Sequence, residues 1–397
     1  MKGLRLEAYT LTTALGAGLA PTLAALREMR SGVVRKHWET VDLDTCLGEV
    51  DGLDERPVRA DLAAFDCRNN RLAQLALEQD GFAGRVREAI ARHGHDRVGV
   101  FLGTSTSGIL SSEIAYRHLD PHSGALPADY DYRHTHNSYS VADFVRSYFV
   151  LTGPAYVVST ACSSSAKVFA SAWRMIACGL IDAAVVGGVD SLCLTTLYGF
   201  NSLQLVSADP CRPFDAGRDG ISIGEGAAFA LVSDAANALS GEVIVAGVGE
   251  SSDAHHMSSP HPEGLGARIA MQAALDMAGL TTADIDYINL HGTSTPSNDA
   301  AEDKGVVALF GSHTPCSSTK GHTGHTLGAA GGVEAVICAL ALTHDFAPGG
   351  VGTQQLDPRL GCHYLLANLE RPLRHVLSNS FGFGGSNCSL ALSRVSA

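Results

Sequence analysis

None of the ten cysteines in this 397-residue chain forms a C-x-x-C pair; they are scattered from Cys46 to Cys388. That scatter excludes a zinc ribbon, and the low density speaks against a disulfide framework. Most are therefore expected as buried thiols in a reducing compartment. Charge is also scarce: only 17% of residues are charged, and 28 basic side chains face 41 acidic ones, a formal net charge of −13. Such a balance disfavours sequence-independent binding to nucleic acid or to an anionic membrane, and any acidic partner must meet a local basic patch. No run of about 18 apolar residues is evident, so no membrane span is expected. The opening MKGLRLEAYTLTTALGAGLAPTLAAL has the early basic residues of a secretory signal, but Glu7 and the threonines interrupt it. A strand and helix of the folded domain are expected there, and the protein is expected in the cytoplasm.

What the chain does have is 45% hydrophobic residues and a length that predicts about two to three domains or one large α/β unit. Short β-rich runs alternate with helical patterns. Strands are expected at Asp96–Thr104, Ala155–Thr160, Asp182–Gly188, Gly241–Gly249 and Asp284–Gly292. Helices are expected in SSAKVFASAWRMIACG and LGARIAMQAALDMAG, stopped by Gly179 and Gly279. Near-continuous apolar strands imply sheets covered on both faces.

A weak internal repeat runs through this pattern. VGVFLGTSTSG (Val98–Gly108) resembles IDYINLHGTSTP (Ile285–Pro296), and CSSSAK at Cys162 resembles CSSTK at Cys316. The matched order of strand, turn and helix points to duplication, with an insertion in the first half between Gly108 and Ala142. A seam near Ser240 divides the chain into halves 1–240 and 241–397.

Four stretches carry chemistry. In VVSTACSSSAKVF, Cys162 sits where a strand runs into a helix, a corner whose free N–H groups favour thiolate. Taken alone, a buried structural cysteine explains it slightly better. NLHGTSTPSNDAAE places His291 at a strand end, and SSTKGHTGHTLGAAGGVEA places Lys320, His322 and His325 in a glycine-rich turn ahead of Glu334. Two histidines in similar strand-end contexts, with a candidate nucleophile in the matching turn of the other half, form a constellation. A metal site on His322 and His325 is the competing reading, weakened because no Asp or Glu stands nearby at ligand spacing. In SNSFGFGGSNCSL, glycines among aromatics free backbone N–H groups for an oxyanion, or simply turn between two strands.

Together, TACSSS, CRPFDAGRDGISIGEGA, HGTSTP, STKGHTGHTLGAAG and NSFGFGG resemble the elongating β-ketoacyl-acyl carrier protein synthases, thiolase-like condensing enzymes of fatty-acid and polyketide synthesis, from about Val98 onward. The resemblance implies a thiolase-like five-layered αβαβα fold of two duplicated halves, and a homodimer or related heterodimer whose contact and acyl pocket are shaped by the first-half insertion. It implies that Cys162 carries the acyl chain as a thioester, that His291 and His325 promote decarboxylation of a malonyl thioester, and that Lys320, partnered by Glu334, orients the cluster. It further implies an oxyanion hole from the N–H groups of Cys162 and Phe383, Phe381 as the aromatic gating the acyl pocket, Thr293 and Thr295 as pantetheine contacts, and structural roles for Asp299 and Glu302. No cofactor or metal is implied, since phosphopantetheine belongs to the acyl carrier protein. Carrier proteins are acidic, and Arg68 and Arg71, spaced to share a helix face, resemble the family's basic contact positions. Two departures stand out. The family's glycine-rich opening is replaced by LEAYTLTTALGAG, and TACSSS is nearer to polyketide ketosynthases. A thiolase would need a second catalytic cysteine near the carboxyl end, where Cys388 lacks the surrounding motif; a non-catalytic chain-length partner would lack Cys162.

Overall fold

The computed structural model describes residues 3–396. Its principal strands are β1 (Leu4–Thr13), β2 (Val98–Gly103), β3 (Ala155–Val158), β4 (Ala183–Asp190), β5 (Gly226–Asp234), β6 (Val243–Ser252), β7 (Tyr287–Asn289), β8 (Pro315–Ser317), β9 (His363–Tyr364), β10 (His375–Gly382) and β11 (Ser386–Arg394). They join in one continuous ladder in the order β9-β8-β7-β10-β11-β6-β1-β5-β4-β2-β3. The principal helices are α1 (Arg68–Leu77), α2 (Phe82–His93), α3 (Ser140–Tyr148), α4 (Ser164–Ala177), α5 (Leu265–Ala278), α6 (Pro296–Phe310) and α7 (Ala330–His344).

The ladder shows the duplication. In the order β1-β5-β4-β2-β3 the first two pairings are antiparallel and the last two parallel. The order β6-β11-β10-β7-β8 repeats that orientation pair for pair. Among the described residues, the halves meet where β1 touches β6 through Leu4↔Val245 and Arg5↔Ile244. The chain crosses from one half to the other between Asp234 and Val243.

Strand composition explains the layering. VGVFLG of β2 and AAVVGGVD of β4 are buried along their whole length, so both faces of the sheet must be covered. Helices α1, α2 and α3 cover one outer face, α5 and α6 the other, and α4 and α7 lie between the half-sheets. This is the thiolase-like five-layered αβαβα arrangement. The N-terminal stretch forms β1 and a helix at Leu19–Arg27, and Gly179 and Gly279 end α4 and α5 with positive φ.

Three expectations need correction. The match of CSSSAK to CSSTK is out of register: Cys316 lies inside β8, paired with Ile288, whereas Cys162 lies beyond the end of β3. A stretch long and apolar enough to cross a membrane does exist, at Leu327–His344 with mean hydropathy 1.5, but 89% of it is buried as the middle-layer helix. Finally, Arg68 is not a surface contact. Its guanidinium is buried and grips Glu225 at 2.9 and 2.7 Å, with Asp54 at 2.8 Å and Glu49 at 3.2 Å. Glu225 in turn accepts the N–H groups of Val50 and Leu192. Arg71 is half-buried and bidentate to Asp66 at 2.6 and 2.7 Å. Both guanidinium groups are already neutralised within the chain.

Removing one partner of a buried ion pair leaves the other charge uncompensated. Arg68→Ala is therefore expected to cost about 3–5 kcal/mol of stability, and Arg71→Ala, nearer the surface, about 1 kcal/mol or less. Urea unfolding of the two variants checks this; equal costs would contradict the buried role of Arg68.

Candidate active site

The nucleophile's corner is bolted by its serines. Ala161 has φ +52°, a left-handed conformation for a residue with a Cβ, and this turns the chain sharply between β3 and α4. The Ser164 hydroxyl donates to the Ala161 carbonyl at 2.6 Å and accepts the Thr160 N–H at 2.9 Å, while the Ser163 hydroxyl donates to the Thr160 carbonyl at 2.9 Å. Ser165 reaches across the molecule and accepts the Gly332 N–H of α7 at 2.8 Å. Beneath them, Gly103 ends β2 so close to α4 that an added Cβ would lie 2.3 Å from the Ser165 nitrogen. The Cys162 thiol is thus fixed at the helix entrance and buried. Burial pushes it up to about 11, opposed by the Lys320 charge and the Phe383 N–H. The helix terminus does not make it a resting thiolate, because desolvation outweighs the attraction.

The two imidazoles arrive from the other half. His291 follows β7, and its turn is tied down by Glu302 of α6, which accepts the N–H groups of His291 at 2.8 Å and Gly292 at 2.7 Å and an amide hydrogen of Asn379 at 3.1 Å. Burial pushes the Glu302 carboxyl up to about 7 against the pull of these donors. Asp299, one turn earlier, accepts the N–H groups of Phe214 and Ser294, and burial raises it to about 6. Lys320 is almost wholly buried; its ammonium donates to His291 Nδ1 at 3.3 Å and pairs with Glu334 of α7. Burial raises Glu334 to about 7, with the ammonium opposing the rise. His325 receives the Leu327 N–H on Nδ1 at 3.2 Å and directs Nε2 at the Cys162 sulfur, 3.1 Å away. The two imidazole rings stand edge to face with centroids 5.4 Å apart.

These contacts decide the tautomers. Each Nδ1 faces a donor and must accept, so in each neutral ring the proton sits on Nε2. Burial and the Lys320 charge hold both rings well below the usual histidine range, which keeps them neutral. Ligand atoms of Cys162, His291 and His325 lie within 4.8 Å of one another. With Nε2 protonated on both rings, this cluster offers N–H donors where a metal would need lone pairs. His322 does not join it. Its two nitrogens face the carbonyls of Arg30 at 3.0 Å and Gly349 at 3.1 Å, which removes the proposed pairing of His322 with His325.

The glycine-rich segment closes the other side. β10 ends at Gly382, and Gly384 and Gly385 adopt φ +81° and +73°, reversing the chain into β11. An added Cβ on Gly382 would lie 3.3 Å from the Cys162 nitrogen, and the Phe383 N–H stands close enough to the Cys162 sulfur to draw the thiol downward. Phe381 lines the cleft, but its ring is packed into the core of the second half beside His291, with centroids 6.0 Å apart. The ring facing Phe200 across the cleft wall, at 5.5 Å, is that of Phe383. The cleft is lined by Cys162, His291, His325, Thr293, Thr295 and the Phe381–Gly385 segment. The hydroxyls of Thr293 and Thr295 are 2.9 Å apart. Ser258–Pro260 also line it, a loop that carries no periodic signal in the sequence. Cys388 is buried within β11 among middle-layer apolar side chains and does not reach the cleft, which removes the thiolase reading.

Comparison with known proteins places this site in a family. The model of the β-ketoacyl synthase N-terminal domain matches residues 8–238, and that of the C-terminal domain matches residues 243–354. The match begins well before Val98, so the unusual opening is still part of the family domain. A 3-oxoacyl-acyl-carrier-protein synthase 2 of Rhizobium meliloti is 41% identical over 263 residues, 62% of this chain and 62% of that protein. The mitochondrial 3-oxoacyl-acyl-carrier-protein synthase of Arabidopsis thaliana is 38% identical over 262 residues, 61% of this chain and 57% of that protein. These alignments span less than two thirds of the relatives' length. Among solved structures, a chain of the ketosynthase and chain length factor complex from Xenorhabdus doucetiae superposes with a TM-score of 0.91 at 39% identity, covering 99% of this chain and 98% of that one. A buried cysteine between two neutral imidazoles on a thiolase-like scaffold, matched by both family domains, makes this chain a member of the β-ketoacyl synthase family of condensing enzymes.

Proposed function

We propose that the chain is a 3-oxoacyl-acyl carrier protein synthase that joins a cysteine-bound acyl group to malonyl-acyl carrier protein with loss of carbon dioxide. The observation carrying this reading is the convergence of the Cys162 sulfur with two Nε2–H donors and the Phe383 N–H in one desolvated cleft. In the first step the Cys162 sulfur attacks the acyl thioester of the carrier, and the departing carrier thiolate takes up the thiol proton. The malonyl thioester then enters, its carbonyl oxygen accepting the Nε2–H bonds of His291 and His325. The bond to the carboxylate breaks, carbon dioxide leaves, and the electron pair becomes an enolate whose oxygen is held by those two donors. The enolate carbon attacks the Cys162 thioester. The tetrahedral oxyanion is stabilised by the N–H groups of Cys162 and Phe383, and collapse expels the Cys162 thiolate, which takes up one proton from solvent. Lys320 orients His291, and Glu334 balances its charge. The electron pair released with carbon dioxide is the one that forms the new carbon–carbon bond, so this scheme calls for no external electron donor or acceptor and no cofactor beyond the pantetheine that the carrier brings past Thr293 and Thr295.

The identity with a chain of the ketosynthase and chain length factor complex over the whole length favours work as the active subunit of such a heterodimer, and TACSSS favours a polyketide-type acyl chain. A homodimer remains the alternative assembly, tested by the oligomeric state of the purified chain with and without a partner subunit. Ten unbridged cysteines suit a reducing cytoplasm.

Cys162→Ala is expected to abolish covalent acyl loading, read by intact-protein mass spectrometry. His291→Ala and His325→Ala should slow malonyl decarboxylation by about 10²–10³ and acyl loading far less; equal losses would contradict the division of labour. Alkylation of Cys162 by iodoacetamide should climb about tenfold per pH unit toward its raised pKa. Lys320→Ala should slow it at any fixed pH, because the charge that draws the thiol downward is gone. Faster alkylation in that variant would refute the electrostatic role of Lys320.

A further inference from the structure

Asp190, the last residue of β4, is wholly buried and belongs to none of the steps above. Its carboxylate collects donors from both halves of the molecule. From the turn after β2 it accepts the Thr104 hydroxyl at 2.6 Å, the Ser105 N–H at 2.8 Å and hydroxyl at 2.5 Å, and the Thr106 N–H at 2.9 Å and hydroxyl at 2.8 Å. From the second half it accepts the Gly328 N–H at 2.5 Å. The Ser105 hydroxyl lies 3.3 Å from that same nitrogen. Gly328 fits only as glycine, since an added Cβ would stand 2.7 Å from the Asp190 oxygen.

The position of that contact gives it leverage. Gly328 follows Leu327, whose N–H supplies the bond to His325 Nδ1 and whose φ of +53° is strained for a leucine. Without an anchor on Gly328, Leu327 can relax toward an ordinary conformation and its N–H turns away from His325. The imidazole then loses the contact that keeps its proton on Nε2 and aimed at the cysteine. Resting on the condensing reading above, we propose that Asp190 is a positioning residue that clamps the Leu327–Gly328 turn, and through it fixes the tautomer and aim of His325. Ser165, bound to the Gly332 N–H, forms a second tie between the nucleophile's half and α7, so the clamp sets the turn and the tie sets the helix. An amide in place of the carboxylate would meet six donors with two hydrogens of its own, so Asp190→Asn must release several of them.

The test is nitrogen NMR of protein labelled with ¹⁵N-histidine, the His325 signal being assigned by its loss in His325→Ala. Wild type should show a single Nε2–H tautomer, and Asp190→Asn a mixture with Nδ1–H. The kcat for malonyl decarboxylation should drop by about 10² with KM for the malonyl thioester unchanged. An unaltered tautomer in Asp190→Asn would overturn the proposal whatever the activity, as would an unchanged kcat beside a mixed tautomer. If wild type fails to decarboxylate malonyl thioester, the condensing reading falls, and the tautomer alone then decides the role of Asp190. Should Asp190→Asn not fold, Ser105→Ala takes its place: Ser105 is exposed and touches only Asp190 and Gly328 through its hydroxyl. A smaller shift of tautomer and kcat in the same direction supports the clamp, and no shift in either overturns it.

Discussion

A lysine ammonium held out of water governs this site. Burying such a charge costs several kcal/mol unless partners replace its hydration, and Lys320 has two, the Glu334 carboxylate and His291 Nδ1. Three properties of the catalytic groups follow from that placement. Donation to Nδ1 leaves the His291 proton on Nε2. The positive charge pushes both imidazoles further from protonation, and it draws the buried thiol downward against desolvation. The surroundings give the charge its reach: α7 is buried from Ala330 to Leu342 and excludes the water that would screen it.

The duplicated fold makes that placement possible. Equivalent strand ends from two halves point at one cleft, so the nucleophile comes from the corner after β3 and the donors from the turns after β7 and β8. Neither half holds a complete site. Among the described residues the β1 and β6 ladder joining them is two residue pairs long, and the ties that set the catalytic geometry run through the middle layer, from Ser165 and Asp190 to the start of α7.

Much of this was legible in the sequence because short turns keep chemistry and structure together. The constellation of Cys162, His291, Lys320 and His325 rests on strand-end turns whose residue types are hard to explain otherwise, and the apolar strands announced a sheet covered on both faces. Long-range pairing was not legible. Arg68 looked like a surface cation until Glu225, far along the chain, was found against it. CSSTK matched CSSSAK in letters but not in register, because composition does not reveal where a strand ends. The serines after Cys162 carry no periodic signal, and only the structure shows them as hydrogen-bonded bolts. Asp190 closes a strand like any other carboxylate, and its function depends on donors from two distant turns. The apolar stretch at Leu327–His344 is a core helix, a distinction that only burial makes.

Neutral imidazoles, each with its proton on Nε2, are the central claim, and a histidine NMR titration of the wild-type protein tests it most directly. The His291 and His325 rings should show no protonation midpoint in the range around the ordinary imidazole pKa of about 6.5, because burial and the Lys320 charge hold both well below it. Protonation of either ring with a midpoint near that ordinary value would contradict the account.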